Sequence, residues 1–201
     1  DTATGLNGLF VYFIPDVVGN YTVSMTAVTA KGTSSSVSIT VVASKFVGEG
    51  ISLSATNVII GCACHRASPT VFQTWQQTNH ATAVMRAVNT AGGHFSFNCM
   101  NCHSPGFDTI KTINNNGFTD MAKLESFTKI PTNGPHVSDT LVAHYPKSMA
   151  LAGIQCENCH GPADQHANDP TFYPSTDATR LDHTLSADVC NQCHASTDRH
   201  G

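Results

Sequence analysis

Cys156-Glu157-Asn158-Cys159-His160-Gly161-Pro162, with His166 just beyond, holds two thiols and an imidazole in the order C-x-x-C-H. That order is the attachment signature of a c-type haem. The chemistry sets the spacing. Cysteines three apart reach the two vinyl edges of one porphyrin as thioethers, and the adjoining histidine then lies under the ring, where it ligates iron. The order recurs at Cys99-Met100-Asn101-Cys102-His103 and at Cys190-Asn191-Gln192-Cys193-His194, and a shortened form stands at Cys62-Ala63-Cys64-His65. Structural zinc is the competing reading, since cysteine pairs with a nearby histidine also bind zinc, usually as two pairs joined by a spacer. Zinc has no need of a histidine directly after the second cysteine of each pair; haem does. The expectation is four haem c groups, with the shortened station at Cys62, Cys64 and His65 the least regular of them.

The rest of the composition narrows the class. A chain of 201 residues makes one ordinary domain or two small ones. Its net charge of −4 and pI near 6.2 point neither to nucleic acid nor to an anionic membrane surface. Charged residues are only 12% while Gly, Ser, Thr and Asn are plentiful, so a conventional core looks thin. Porphyrin faces are expected to supply much of the apolar interior. No apolar run is long enough to span a membrane. The polar opening Asp1-Thr2-Ala3-Thr4 reads as a processed start rather than a signal peptide. All eight cysteines belong to the four stations, which leaves none for disulfides.

Along the chain, residues 6–14 read as a strand, and 15–20 as turn chemistry. Tyr21, Val23, Met25 and Ala27 alternate with Thr22, Ser24 and Thr26, a half-buried strand over 21–30. After Lys31-Gly32-Thr33, Val37, Ile39 and Val41 alternate in the same way through Val42. The expectation is a small β module over 1–45, a meander of about three strands, followed by a haem region over 46–201. Strand edges left open by such a meander are templates for pairing with another chain.

Residues 43–61 read as an irregular linker into the first station. Ser68-Pro69 then starts a helix that the pattern carries through Asn89, with Phe72, Trp75, His80, Val84 and Val88 along it. Gly92-Gly93 ends it, and His94 falls five residues before Cys99. Residues 104–136 are loop-rich, with a short helix over 119–127, and His136 reads as a loop histidine rather than a ligand. Ser138-Asp139 caps a helix that reaches His144. Residues 168–182 read as a proline-punctuated loop, His183 precedes the last station by seven residues, and Ser186-Ala187-Asp188 starts a helix presenting Cys190 and Cys193 one turn apart. His200 repeats, after His194, the spacing of His166 after His160.

Ligand arithmetic follows. Of eleven histidines, four are proximal: His65, His103, His160 and His194. His80, His94, His144, His166, His183 and His200 are candidates for the opposite face of an iron. His166 cannot easily reach the far face of the haem that His160 already holds, so it serves a neighbouring one more simply. Methionine as a sixth ligand is the alternative, but the five methionines lack supporting context and read as filler. A saturated bis-histidine iron has no place for substrate, which means electron transfer at low potential rather than small-molecule activation. At about 34 residues per haem the chain is too short to wrap each porphyrin separately, so the haems must pack against one another. No acid–base pair, nucleophile or phosphate loop stands out.

Several blocks resemble known cytochromes. Trp75-Gln76-Gln77-Thr78-Asn79-His80 is similar to the W-x-x-S-x-H segment of multihaem cytochromes, whose histidine is a distal ligand. Cys156 through His166 resembles a recurrent C-E-x-C-H-G-P-x-x-x-H block of the same proteins. Pro15-Asp16 through Tyr21 resembles the closing half of an immunoglobulin-like or PKD-like sandwich. By motif order, residues 43–201 resemble the tetrahaem extracellular cytochrome nanowires, the OmcE-like group. The resemblance implies a multihaem cytochrome c fold, mostly coil with short helices around closely packed haems. It also implies export, an extracellular or cell-surface place, and homopolymers with haem-to-haem contact that pass electrons to other redox proteins or extracellular acceptors. A distal histidine from the adjacent subunit belongs to the same implication. A soluble periplasmic electron shuttle is the alternative of like chemistry. A multihaem reductase with one open iron is the alternative of another class, and the odd station at Cys62 keeps it in play.

Overall fold

Strict alternation of apolar and hydroxyl side chains makes the first described part a β ribbon. The computed structural model describes residues 15, 17–48, 69–108, 114–168 and 187–194. β1 (Gly19–Met25) runs antiparallel to β4 (Val37–Ala43), in register from Gly19 opposite Ala43 to Met25 opposite Val37. β2 (Val28–Thr29) and β3 (Gly32–Thr33) pair as a second, shorter sheet at the tip. Period two puts Tyr21, Val23 and Met25 beside Val41, Ile39 and Val37 on one face. The other face pairs hydroxyls, with Ser24 and Ser38 Oγ atoms 2.7 Å apart. The single strand expected over 21–30 is interrupted at Thr26 and Ala27. There Ser34 takes both backbone groups of Ala27: its N–H donates to the Ala27 carbonyl, and its Oγ accepts from the Ala27 N–H, each at 2.9 Å. The strand expected over 6–14 lies outside the described residues.

The single helix expected from Pro69 to Asn89 is two: α1 (Pro69–Gln76) and α2 (Asn79–Asn89). Thr78 divides them. Its hydroxyl donates to the Trp75 carbonyl at 2.7 Å and accepts from the Ala81 N–H at 3.3 Å, with its own backbone extended. A threonine satisfied in that way is an N-cap, and an N-cap cannot lie in a helix interior. α2 buries Val84 and Val88, one turn apart.

The remaining helices are short. A 3-10 turn (Phe97–Cys99) leads into α3 (Met100–His103), followed by α4 (Phe118–Leu124), α5 (Val137–His144) and α6 (Pro146–Met149). Then come α7 (Cys156–His160), α8 (Asp164–Asn168) and α9 (Ala187–His194). Side-chain hydrogen bonds explain two of the boundaries. Glu125, just past α4, accepts from the Lys147 and Ser148 N–H groups, each at 2.8 Å, and so caps α6. Ser138 does not cap α5 as expected. Its N–H and hydroxyl are taken by the Asn89 side chain, which ties α5 to α2, and the residue before the helix is His136 in the left-handed region (φ 65°). The His136 ring pairs with Asp139 at 3.0 Å.

The core is fuller than the composition suggested, and it is aromatic. Phe97 lies 5.7 Å from Phe118 and 5.3 Å from Phe127, ring centre to ring centre, and Phe127 stacks on Tyr145 at 4.3 Å. These rings come from segments far apart in sequence and show no period there, which is why the core looked thin. Gly106 and Gly117 meet backbone to backbone, so a Cβ on Gly117 would sit 2.5 Å from the Gly106 carbonyl oxygen. This contact lets Phe107 and Phe118 stack, ring centres 6.1 Å apart. Phe118 is fully buried. Phe118→Ala is therefore expected to cost about 3–5 kcal/mol, read as a lowered midpoint in urea unfolding; a change below about 1 kcal/mol would mean that the cluster is not the core. No helix among the described residues is long and apolar enough to cross a membrane.

Candidate cofactor site

Cys99 and Cys102 stand one helical turn apart because the 3-10 turn at Phe97–Cys99 runs straight into α3. The Ser96 N–H points at Cys99 Sγ from 3.4 Å. His103 closes the same turn, half-buried, with the edge of Phe95 against its ring at 5.2 Å. Both cysteines and His103 line a cleft of about 790 Å³. That volume lies in the range that holds a large organic cofactor, roughly 300–1,000 Å³. α2 supplies a second wall through Ala83, Arg86, Ala87 and Thr90, the stripe at i, i+3, i+4 and i+7. His94 lines the cleft as well, from the loop between α2 and α3.

The other stations gather around this one. Gly153 and Ile154, just before the third motif, donate their N–H groups to the carbonyls of His103 (2.8 Å) and His80 (3.2 Å). Trp75 Nε1 donates to the Ile154 carbonyl at 2.9 Å, so the indole locks the same joint from α1. Asn158, inside the third motif, donates through Nδ2 to the Ser104 carbonyl at 3.0 Å. In α9, Cys193 Sγ donates to the Cys102 carbonyl at 3.9 Å. Burial pushes the Cys159 thiol up from its ordinary range, and the nearby Cys190 adds to the shift. Three C-x-x-C-H turns that are far apart in sequence are thus neighbours in space.

His80 and His194 form the most telling pair. Their ring centres are 6.1 Å apart, with the planes tilted by 43°. Two imidazoles on opposite sides of one metal, each nitrogen about 2 Å from it and roughly 1.1 Å from its own ring centre, have centres about 6.2 Å apart. The separation found matches that figure, and it also falls within the range of roughly 4.5–7 Å for ordinary contacts between aromatic rings. Among the described residues no three His, Cys, Asp or Glu side chains gather as a metal-donor group; axial ligation by two imidazoles does not call for one.

Other expected residues are placed as follows. Cys156, Cys159 and His160 lie half-buried on α7, and His166 lies half-buried on α8. His144 is exposed at the end of α5, its ring 6.3 Å from that of Tyr145, and does not line the cleft. Cys62, Cys64, His65, His183 and His200 lie outside the described residues.

Two residues that matter were given no role of their own in the sequence reading. Arg86 is one, on the cleft wall. Glu157, between the two cysteines of the third motif, is the other. It is 3% exposed, and its carboxylate accepts from the N–H groups of Val47, Gly48 and Ala163, at 3.0, 2.7 and 2.8 Å. Gly48 has φ +67°, and a Cβ there would meet Leu151 at 2.7 Å, so only glycine offers its N–H at this angle. The segment at 44–48, expected to be irregular linker, is therefore fastened to the third station; Asp164 N–H adds a bond to the Lys45 carbonyl at 3.0 Å. Glu157→Ala leaves buried backbone donors without their acceptor and is expected to cost about 2–5 kcal/mol. Amide exchange at Val47 and Gly48 measures it directly; protection unchanged in the variant would show that the clamp is not formed.

Compared with known proteins, the chain matches no family model, no curated protein and no solved structure.

Proposed function

We propose that this chain is a multihaem c-type cytochrome that moves electrons through four covalently bound, bis-histidine haems, and that it is the repeating subunit of an extracellular conducting filament. The observation that carries the haem reading is the His80–His194 pair: a distal candidate by resemblance and a proximal histidine by motif, with ring centres 6.1 Å apart. When bound, each haem supplies a one-electron iron couple. The chain's own residues do the rest. Cys99 and Cys102 would hold the ring through its two vinyl positions, His103 would ligate its iron, and His94 lines the same cleft as a candidate for a second ligand. Two imidazoles per iron leave no site for substrate, which favours conduction over catalysis. The contacts from Cys193 to Cys102 and from Asn158 to Ser104 favour short distances between neighbouring porphyrins. The filament reading rests on this density of stations and on histidines in excess of four iron pairs.

Two measurements test the proposal. Intact mass after expression with a haem-attachment system is expected to show four haem increments, with a reversible reduced-minus-oxidised c-type spectrum. No increment would overturn the reading, and three would mean that Cys62 and Cys64 hold no ring. Imaging of the native protein by electron cryo-microscopy is expected to show filaments. Discrete particles at every concentration would overturn the filament and leave a soluble shuttle.

A further inference from the structure

The α2 stripe that walls the cleft carries a cation with no evident work elsewhere. Val84 and Val88 turn α2 towards the core, which leaves Ala83, Arg86, Ala87 and Thr90 on the cleft. The two alanines make a flat strip against which a planar group can lie. Arg86 is the one lysine or arginine lining the cleft, and no carboxylate lines it. The ion pair found among the described residues is His136 with Asp139, so Arg86 is not taken up by a protein carboxylate there.

A ligand of this cleft has to satisfy three chemistries at once. It offers two alkylatable edge positions to Cys99 and Cys102, a metal to His103, and something to Arg86. A guanidinium is a rigid fork that fits a carboxylate through two parallel hydrogen bonds and keeps its charge at every working pH. The anionic groups of haem c are its two propionates. We propose that Arg86 binds a propionate of the haem carried by Cys99 and Cys102 and so compensates its charge beside the iron. The inference rests on the haem reading and deepens it. The plain alternative is a solvated arginine in the last turn of α2, where the helix dipole favours a cation anyway. That alternative predicts no effect on the iron.

The test uses the haem-loaded chain and the variants Arg86→Gln and Arg86→Lys. Arg86 is exposed, so both variants are expected to fold and to keep their full haem count by mass. Spectroelectrochemical titration is the readout. Removing the guanidinium leaves the propionate charge uncompensated beside the iron and favours the ferric state. Arg86→Gln is expected to lower one midpoint potential and leave the others in place. Arg86→Lys is expected to recover most of the shift, because it restores the charge without the fork. The potential that vanishes in a Cys99→Ser, Cys102→Ser chain identifies the haem concerned. Potentials unchanged in Arg86→Gln would overturn the inference, as would equal shifts in Gln and Lys, because lysine keeps the charge on which the inference rests. A parent chain that takes up no haem fails the functional reading itself, and the two failures are told apart by the parent's mass.

Discussion

Replacing His80 with alanine is expected to turn one iron of the loaded chain from low-spin to high-spin while leaving the haem count unchanged. His80 sits at the exposed start of α2, beside the Thr78 cap, and contributes nothing to the buried Val84–Val88 face. Its backbone carbonyl, not its ring, holds Ile154, and alanine keeps that carbonyl. Alanine is also the best helix former, so the fold is expected to change by no more than about 0.5 kcal/mol. What is lost is the imidazole 6.1 Å from that of His194. An iron losing one of two strong axial nitrogens becomes five-coordinate or takes water, and its ferric form goes high-spin. Electron paramagnetic resonance of the oxidised variant reads the change, and added imidazole is expected to reverse it. A wholly low-spin spectrum would mean that His80 ligates nothing, and that the histidine opposite His194 comes from elsewhere.

Exchanging Cys99 and Cys102 together for serine is expected to remove one haem and to destabilise the chain more than Phe118→Ala does. The cleft they line, about 790 Å³, is too large to close by side-chain adjustment. Without the ring, the Ala83 and Ala87 face of α2 stands open to water, and His103, which contacts Phe95 and the Gly153 N–H, loses the group it would ligate. Because Cys102 also receives Cys193 Sγ at its carbonyl, loosening α3 is expected to reach α9. Mass gives the haem count, and thermal unfolding followed at the remaining haems gives the stability. A serine variant that keeps all four increments would show that these two cysteines do not carry the attachment.

The covalent chemistry proposed for the site is what makes it legible. Thioether formation demands two cysteines at a short spacing, and axial ligation demands a histidine directly after them, so each station is written within a few consecutive residues and can be read without a fold. α9 was legible for the same reason: one turn between Cys190 and Cys193 needs a helix there, and a helix spans Ala187–His194. The strands of the ribbon were legible from period two, up to the break that the Ser34 side chain imposes at Ala27.

Side-chain hydrogen bonds misled the reading of the helices. Thr78 satisfies its hydroxyl twice within its own neighbourhood and cuts one expected helix into two. Asn89 takes Ser138 away from the capping role its type suggests. Neither choice is visible in a propensity, because each depends on which partner is in reach.

The sequence by itself determined the cofactor chemistry expected of this chain, the number of its stations and the ribbon that precedes them, since each is a local pattern. Only the tertiary structure decided that His80 faces His194, that Arg86 stands over the cleft of Cys99 and Cys102, and that Glu157 fastens the end of the ribbon to the third station. Those are relations between distant segments. They are set by which hydrogen bonds and apolar contacts can be satisfied together when the chain closes on itself, and no single stretch of sequence carries that information.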